Sequence, residues 1–183
     1  LEGWHVHEGL PGEQLSGGDW SVEDGVIVGT QGPPGHGGFL VTDRTFSDFE
    51  IRLETNLDYP SDSGIFLRVG PEGKSHQVTL DYRPDGSIGA IYLPWTQAMV
   101  HESDRGEERF EKDVWNDVRV RIEGEPAQIR VWVNGALVTD FQHTSETTEG
   151  VPAEGTIGLQ VHSGDDWEEG NEVRFRSIEV RTL

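Results

Sequence analysis

Cysteine is absent from the 183 residues. That excludes disulfides, thiolate nucleophiles and Cys-ligated zinc, and leaves the compartment open. Positive charge is scarce: 14 Lys and Arg stand against 34 Asp and Glu, a formal net charge of −20. A field of that sign repels phosphate backbones and anionic lipid, so neither nucleic acid nor a membrane surface is expected as a partner. The acid is spread along the chain rather than held in one tail, as in a device for solubility in a salty medium. No apolar run approaches the length of a membrane span. There is no signal peptide and no initiator Met, so the chain reads as a trimmed product or as one domain of a longer protein. Also missing are G-x-S-x-G, H-E-x-x-H and a P-loop. Nor does any strand carry E-x-D-x-x-E, the run that sets two carboxylates across a glycosidic bond in many sandwich-fold glucanases. A standard two-carboxylate glycosidase is thereby disfavoured.

Helical periodicity is nearly absent too. What is present is 24 glycines and a series of short alternating runs between turn signals, the pattern of an all-β sandwich or barrel. WSVEDGVIVG reads as a hairpin across Asp24-Gly25, and Asn134-Gly135 marks another tight turn. DFEIRLETNL sets Phe49, Ile51 and Leu53 against Glu50, Arg52 and Glu54. SGIFLRVG is expected to put Ile65, Leu67 and Val69 on one face, with Phe66 and Arg68 on the other. HQVTLDY sets Val78, Leu80 and Tyr82 against Gln77, Thr79 and Asp81, and GTIGLQVHSG sets Ile157, Leu159 and Val161 against Gly158, Gln160 and His162. In EVRFRSIEV the apolar parity slips between Phe175 and Ile178, which predicts a bulge. The length fits one domain over 1–183.

Three of these runs carry polar groups behind an apolar face: Arg68; Gln77, Thr79 and Asp81; Gln160 and His162. On one concave sheet they would form a cluster of guanidinium, amide, carboxylate and imidazole suited to a polyhydroxylated ligand. A wet outer face explains the same alternation. Trp95 and Trp167 lie in loops, where stacking on a sugar ring is plausible, whereas Trp115 and Trp132 read as packing. Asp165, Asp166, Glu168, Glu169 and Asn171 form an oxygen-rich loop without EF-hand spacing. It is either a solvated loop or a Ca²⁺ site that stabilises the loop. The long irregular pieces are GTQGPPGHGG, the stretch 95–113 and GDDWEEGN, and loops of such length are often functional.

In order, Gly3-Trp4, WSVEDGVIVG, GGFLVTDRTFSDFEIRLE, SDSGIFLR, GSIGAIY, VWNDVRVRIEG, IRVWVNGALVTDF, GTIGLQVHSG and VRFRSIEVR resemble the 3-keto-disaccharide hydrolase domain family across almost the whole chain. The resemblance implies a concanavalin A-like antiparallel jelly roll, here lacking the strand that precedes the first Gly-Trp in other members. It implies a periplasmic or extracellular setting and a carbohydrate ligand. The implied chemistry acts on glycosides already oxidised at C3. The ketone acidifies the C2 proton, a base removes it, the C1 substituent leaves, and water adds. His162 and Asp81 are then the candidate acid and base, in either order, and Arg68, Gln77, Gln160 and Trp95 the candidate substrate-binding residues. The sequence departs from the family where members commonly read YEVQ. Here Gln77 replaces the glutamate and Thr79 the glutamine, and the usual NSG is Asp62-Ser63-Gly64. Loss of that glutamate favours a noncatalytic carbohydrate-binding module, whereas retention of Asp81, Gln160 and His162 favours an enzyme. A structural or adhesion domain with a merely wet face is the third reading.

Overall fold

The computed structural model describes residues 1–8, 17–33, 35–164 and 167–183. Fourteen strands and one short helix occur among them: β1 (Trp4–Val6), β2 (Asp19–Glu23), β3 (Val26–Thr30), β4 (Gly38–Thr42), β5 (Phe49–Leu57), β6 (Ser61–Val69), β7 (His76–Tyr82), β8 (Ile88–Leu93), β9 (Ala98–His101), α1 (Gly106–Arg109), β10 (Asn116–Glu123), β11 (Gln128–Val133), β12 (Ala136–Gln142), β13 (Thr156–Val161) and β14 (Val173–Thr182). They pair into two seven-stranded antiparallel sheets. One runs β1-β4-β13-β6-β7-β8-β9 and the other β12-β11-β10-β5-β14-β3-β2.

The second sheet follows the simplest rule of alternation. Phe49, Ile51 and Leu53 of β5, Val118, Val120 and Ile122 of β10, and Ile129, Val131 and Val133 of β11 are buried against the first sheet. Their neighbours in sequence face outward as a lattice of arginines and carboxylates, with Arg52 on Asp117, Arg121 on Glu123 and Arg176 on Glu54. Trp132 and Trp115 lie beneath Arg119 and Arg176 on this face, as packing residues. The bulge in β14 is where the broken parity puts it. The pairing with β5 slips between Arg176 and Glu179, and Ser177 takes a positive φ of 52°. The Asp24-Gly25 and Asn134-Gly135 turns have positive φ at both central residues, as a two-residue hairpin needs.

The first sheet departs from alternation in β4 and β6, which are buried on both faces. Ile65 and Leu67 face the main core, while Phe66 joins Phe39 and Val41 in a smaller apolar cluster on the other face. Val69 joins that cluster too, not Ile65 and Leu67 as simple parity would have it. The cause is Arg68, whose φ of 54° breaks the extended backbone, and the pairing of β6 with β13 slips between Thr156 and Gly158. Arg68 therefore turns inward instead of onto the concave face.

Candidate active site

Period-two alternation brings the polar side chains together. Gln77, Thr79 and Asp81 project from β7, and Arg83 continues that row past the strand end. Asp62 projects from β6, Tyr92 from β8 and Gln160 from β13, with His162 just beyond it. Together they line a cavity of about 360 Å³ on the first sheet, closed on its other sides by Phe39, Phe66, Pro94, Gln97 and Met99.

The charged groups form one chain. Arg83 grips Asp81 with two parallel bonds, Nε to Oδ1 at 2.6 Å and Nη2 to Oδ2 at 2.7 Å. The same Nη2 lies 3.2 Å from Asp62 Oδ2. That oxygen lies 3.7 Å from His162 Nε2. Asp62 and Asp81 are directly opposed across the β6–β7 ladder, a like-charge pairing that would be unfavourable alone. The Arg83 guanidinium between them removes the repulsion. Burial, and then the Asp62 charge, raise the Tyr92 phenol above its usual pKa, so it remains a donor.

His162 presents two unlike nitrogens. Nδ1 is buried and has no hydrogen-bond partner, while Nε2 faces Asp62. A buried N–H without an acceptor is rarer than a bare acceptor, so the neutral ring carries its proton on Nε2. Any proton exchanged with a ligand passes through that atom. Beside it lies an amide pair, with Gln77 Nε2 donating to Gln160 Oε1 at 3.2 Å. This leaves the Gln160 amide hydrogens for a ligand. Gly64 permits the arrangement, because a Cβ there would lie 2.6 Å from Gln77 Nε2 and 3.2 Å from Gln160 Oε1. Thr79 is committed elsewhere: its hydroxyl accepts the Ala90 N–H where the β7–β8 pairing slips.

Of the residues singled out from sequence, Asp81, Gln77, Gln160 and His162 meet in this cavity. Arg68 does not. It is 1% exposed, its Nε donates to the Ser47 carbonyl, Nη1 to the Gly124 carbonyl and Nη2 to Asp48. It ties β6 to the opposite sheet and cannot touch a ligand on the concave face. Trp95 stands half-buried in the β8–β9 turn, outside the cavity wall, although its neighbour Pro94 is part of that wall. Trp167 is buried, with its indole N–H on the Asn171 carbonyl, so it is a packing residue. In the oxygen-rich loop, Asp165 and Asp166 lie outside the described residues, and the Asn171 amide donates to the Pro60 carbonyl. Among the described residues no three His, Asp or Glu side chains gather as a metal site would require. Sequence reasoning missed Asp62, Arg83 and Tyr92. Extending the alternation past Asp81 and along IGAIYL reaches Arg83 and Tyr92, and Asp62 stands at a position already marked as unusual.

Comparison with solved structures gives the same architecture. A proposed glycosyl hydrolase from Parabacteroides distasonis is 20% identical with a TM-score of 0.70, over 100% of this chain and 94% of the other. The carbohydrate-binding module CBM66 from Bacillus subtilis is 14% identical with a TM-score of 0.71, over 98% and 96%. A lectin from Bauhinia forficata, in complex with GalNAc, is 12% identical with a TM-score of 0.61, over 90% of each chain. At such identities the likeness is one of fold. No curated protein matches the chain. The family match is of another order, because it spans residues 1–181. The chain belongs to the 3-keto-alpha-glucoside-1,2-lyase-like domain family.

Proposed function

We propose that the protein cleaves 3-keto-glycosides by elimination across C1 and C2, with Asp62 and His162 as the proton-transfer pair. The observation that carries this reading is the 3.7 Å approach of His162 Nε2 to Asp62 inside a cavity that also offers unspent amide donors. A C3 ketone acidifies the C2–H bond, so one well-placed base suffices. Asp62 takes the C2 proton, and the electron pair of that bond moves toward the ketone oxygen as an enolate. The Gln160 amide and the Tyr92 phenol donate to that oxygen. The enolate re-forms its carbonyl by expelling the C1 oxygen, which takes the Nε2 proton of His162 as the protonated Asp62 passes the former C2 proton to that nitrogen, so the ring stays neutral and the carboxylate is restored. Water then adds across the C1–C2 double bond and completes hydrolysis. Asp81 is a positioning residue here rather than the base, because both its oxygens are held by Arg83.

The test is incubation with a 3-keto-disaccharide beside its unoxidised parent, following released sugar and a 2-hydroxy-glycal. Release from the keto-sugar alone is expected. Equal turnover of both would contradict the elimination route.

A second reading, a noncatalytic carbohydrate-binding module, draws on one observation. Arg83 engages both carboxylates, an arrangement that also suits recognition of sugar hydroxyls. Under it, the keto-sugar binds and is recovered intact.

A further inference from the structure

His162 lies one residue beyond the end of β13, where the ladder to β4 stops at Val161 and Gly38. A residue past a strand end is ordinarily free to fray. On one side the His162 backbone N–H donates to the Asp62 carbonyl at 3.3 Å. On the other, Gln31, the first residue after β3 of the opposite sheet, spends its amide NH₂ on this segment. Its Nε2 donates to the His162 carbonyl at 2.8 Å and to the Gly164 carbonyl at 3.0 Å. Two carbonyls require two N–H donors, so only the NH₂ end of the side chain fits, and its orientation follows.

Gly35 and Gly37 close on the same segment, residues 161–164. Gly37 N–H donates to Ser163 Oγ at 2.7 Å, and Gly164 N–H donates to the Gly35 carbonyl at 3.1 Å. The approach is so close that a Cβ on Gly37 would lie 2.0 Å from the Val161 carbonyl oxygen. Within the loop, Gly32 N–H donates to the His36 carbonyl at 2.9 Å. Gln31, Gly35 and Gly37 thus form a brace laid along the segment that carries the site histidine.

We infer that Gln31 is a positioning residue for His162, holding its imidazole against Asp62 through the two backbone carbonyls that flank Ser163. The claim rests on the proposed role of His162 in proton transfer. A displacement of about 1 Å costs on the order of 10²-fold in rate when the displaced group takes part in the chemistry.

The test compares Gln31→Met, which keeps the length and loses both donors, with Ser163→Ala, which loosens the brace from the other side. Gln142→Met is the control. Gln142 also donates its amide to backbone carbonyls, those of Pro126, Ala127 and His143, away from the cavity. Melting temperature, kcat and KM for a 3-keto-glucoside, and the His162 imidazole NMR signals are measured on each. Gln31→Met is expected to lower kcat about 10-fold or more, to leave KM within about threefold, and to move the His162 signals. Ser163→Ala should do the same to a smaller degree. Gln142→Met should lower melting temperature alone. The inference is overturned if Gln31→Met leaves the His162 signals in place, or moves them with kcat unchanged within about twofold. If wild-type protein turns over no keto-glycoside, the catalytic reading fails, and the imidazole spectrum by itself still decides whether the brace holds His162.

Discussion

The two ends of β6 carry two polar clusters built from the same kinds of residue. At the first end, Asp62 faces His162 and Arg83 across an open cavity. At the other, Arg68 turns inward near His76 and His143, whose rings are in contact at a tilt of 41° with centroids 4.1 Å apart and which are 1% and 2% exposed. Burial, then the neighbouring His143 and Arg68, push His76 down to about 2. Burial, aided by Arg68 and opposed by a hydrogen bond to the Thr147 backbone, pushes His143 down to about 4. Burial lowers the Arg68 pKa as well, opposed by Asp48 and Glu125. The sealed cluster is thus strongly perturbed, and its burial gives it no route to a ligand. Perturbed titration marks functional sites only where geometry gives access. Here the large histidine shifts belong to two rings sealed between the sheets, and the proposed chemistry is assigned to the less enclosed histidine.

Exchanging the roles of the clusters by mutation should fail in characteristic ways. His162→Ala is expected to lower kcat by about 10²–10⁴-fold, the usual worth of one general acid or base, with little change in melting temperature. Arg68→Leu should act oppositely. It removes the hydrogen bonds of a buried guanidinium to two backbone carbonyls and to Asp48, and costs on the order of 3 kcal/mol in denaturant unfolding. Turnover at a temperature where the fold persists should be unaffected. A large loss of kcat in Arg68→Leu would join the two clusters into one functional unit.

Acid should separate them further. An unfolded histidine binds a proton as pH falls below about 6.5, while native His143 and His76 resist to about 4 and about 2. Their contribution to stability is therefore complete above about pH 6.5 and is lost as pH falls. The slope is at most about 1.4 kcal/mol per pH unit for each, shared by both down to about pH 4 and by His76 alone below it. Chemical denaturation at a series of pH values from 7.5 to 4.5 reads this slope, and His143→Gln should reduce it by about half. An unchanged slope in that variant would place the acid sensitivity in carboxylates such as Asp58, whose pKa is lowered beside Arg174.

The smallest effect concerns Thr79, which lines the cavity yet serves the sheet. Thr79→Val strands the buried Ala90 N–H and should cost about 1–2 kcal/mol, with kcat changed less than about twofold. A marked loss of turnover would move Thr79 into the catalytic group.

What the sequence made legible was whatever period-two alternation carries without interruption. The faces of β7 and β13 follow directly from HQVTLDY and GTIGLQVHSG, and with them the meeting of Gln77, Asp81, Gln160 and His162. The bulge in β14 was legible as a slipped apolar parity. Arg68 was not, because a single left-handed residue near the end of β6 reverses every facing after it, and arginine gives no sign of that conformation. Asp62, Arg83 and the Gln31 brace depend on pairing between segments distant in sequence, and alternation within one strand does not report which strands become neighbours. The carboxylate facing His162 is Asp62 for this reason. Asp81 has the same facing and is already bound to Arg83.

The difference between the two clusters can be measured in one titration. The imidazole C–H signals of His162, His76 and His143 would be assigned by single substitutions and followed as a 3-keto-glucoside is added at neutral pH. Movement of the His162 signals alone is the predicted result, since only its Nε2 faces the cavity. Movement of His76 or His143 with His162 fixed, or turnover of the sugar with all three unmoved, would contradict the assignment of the concave cluster as the site.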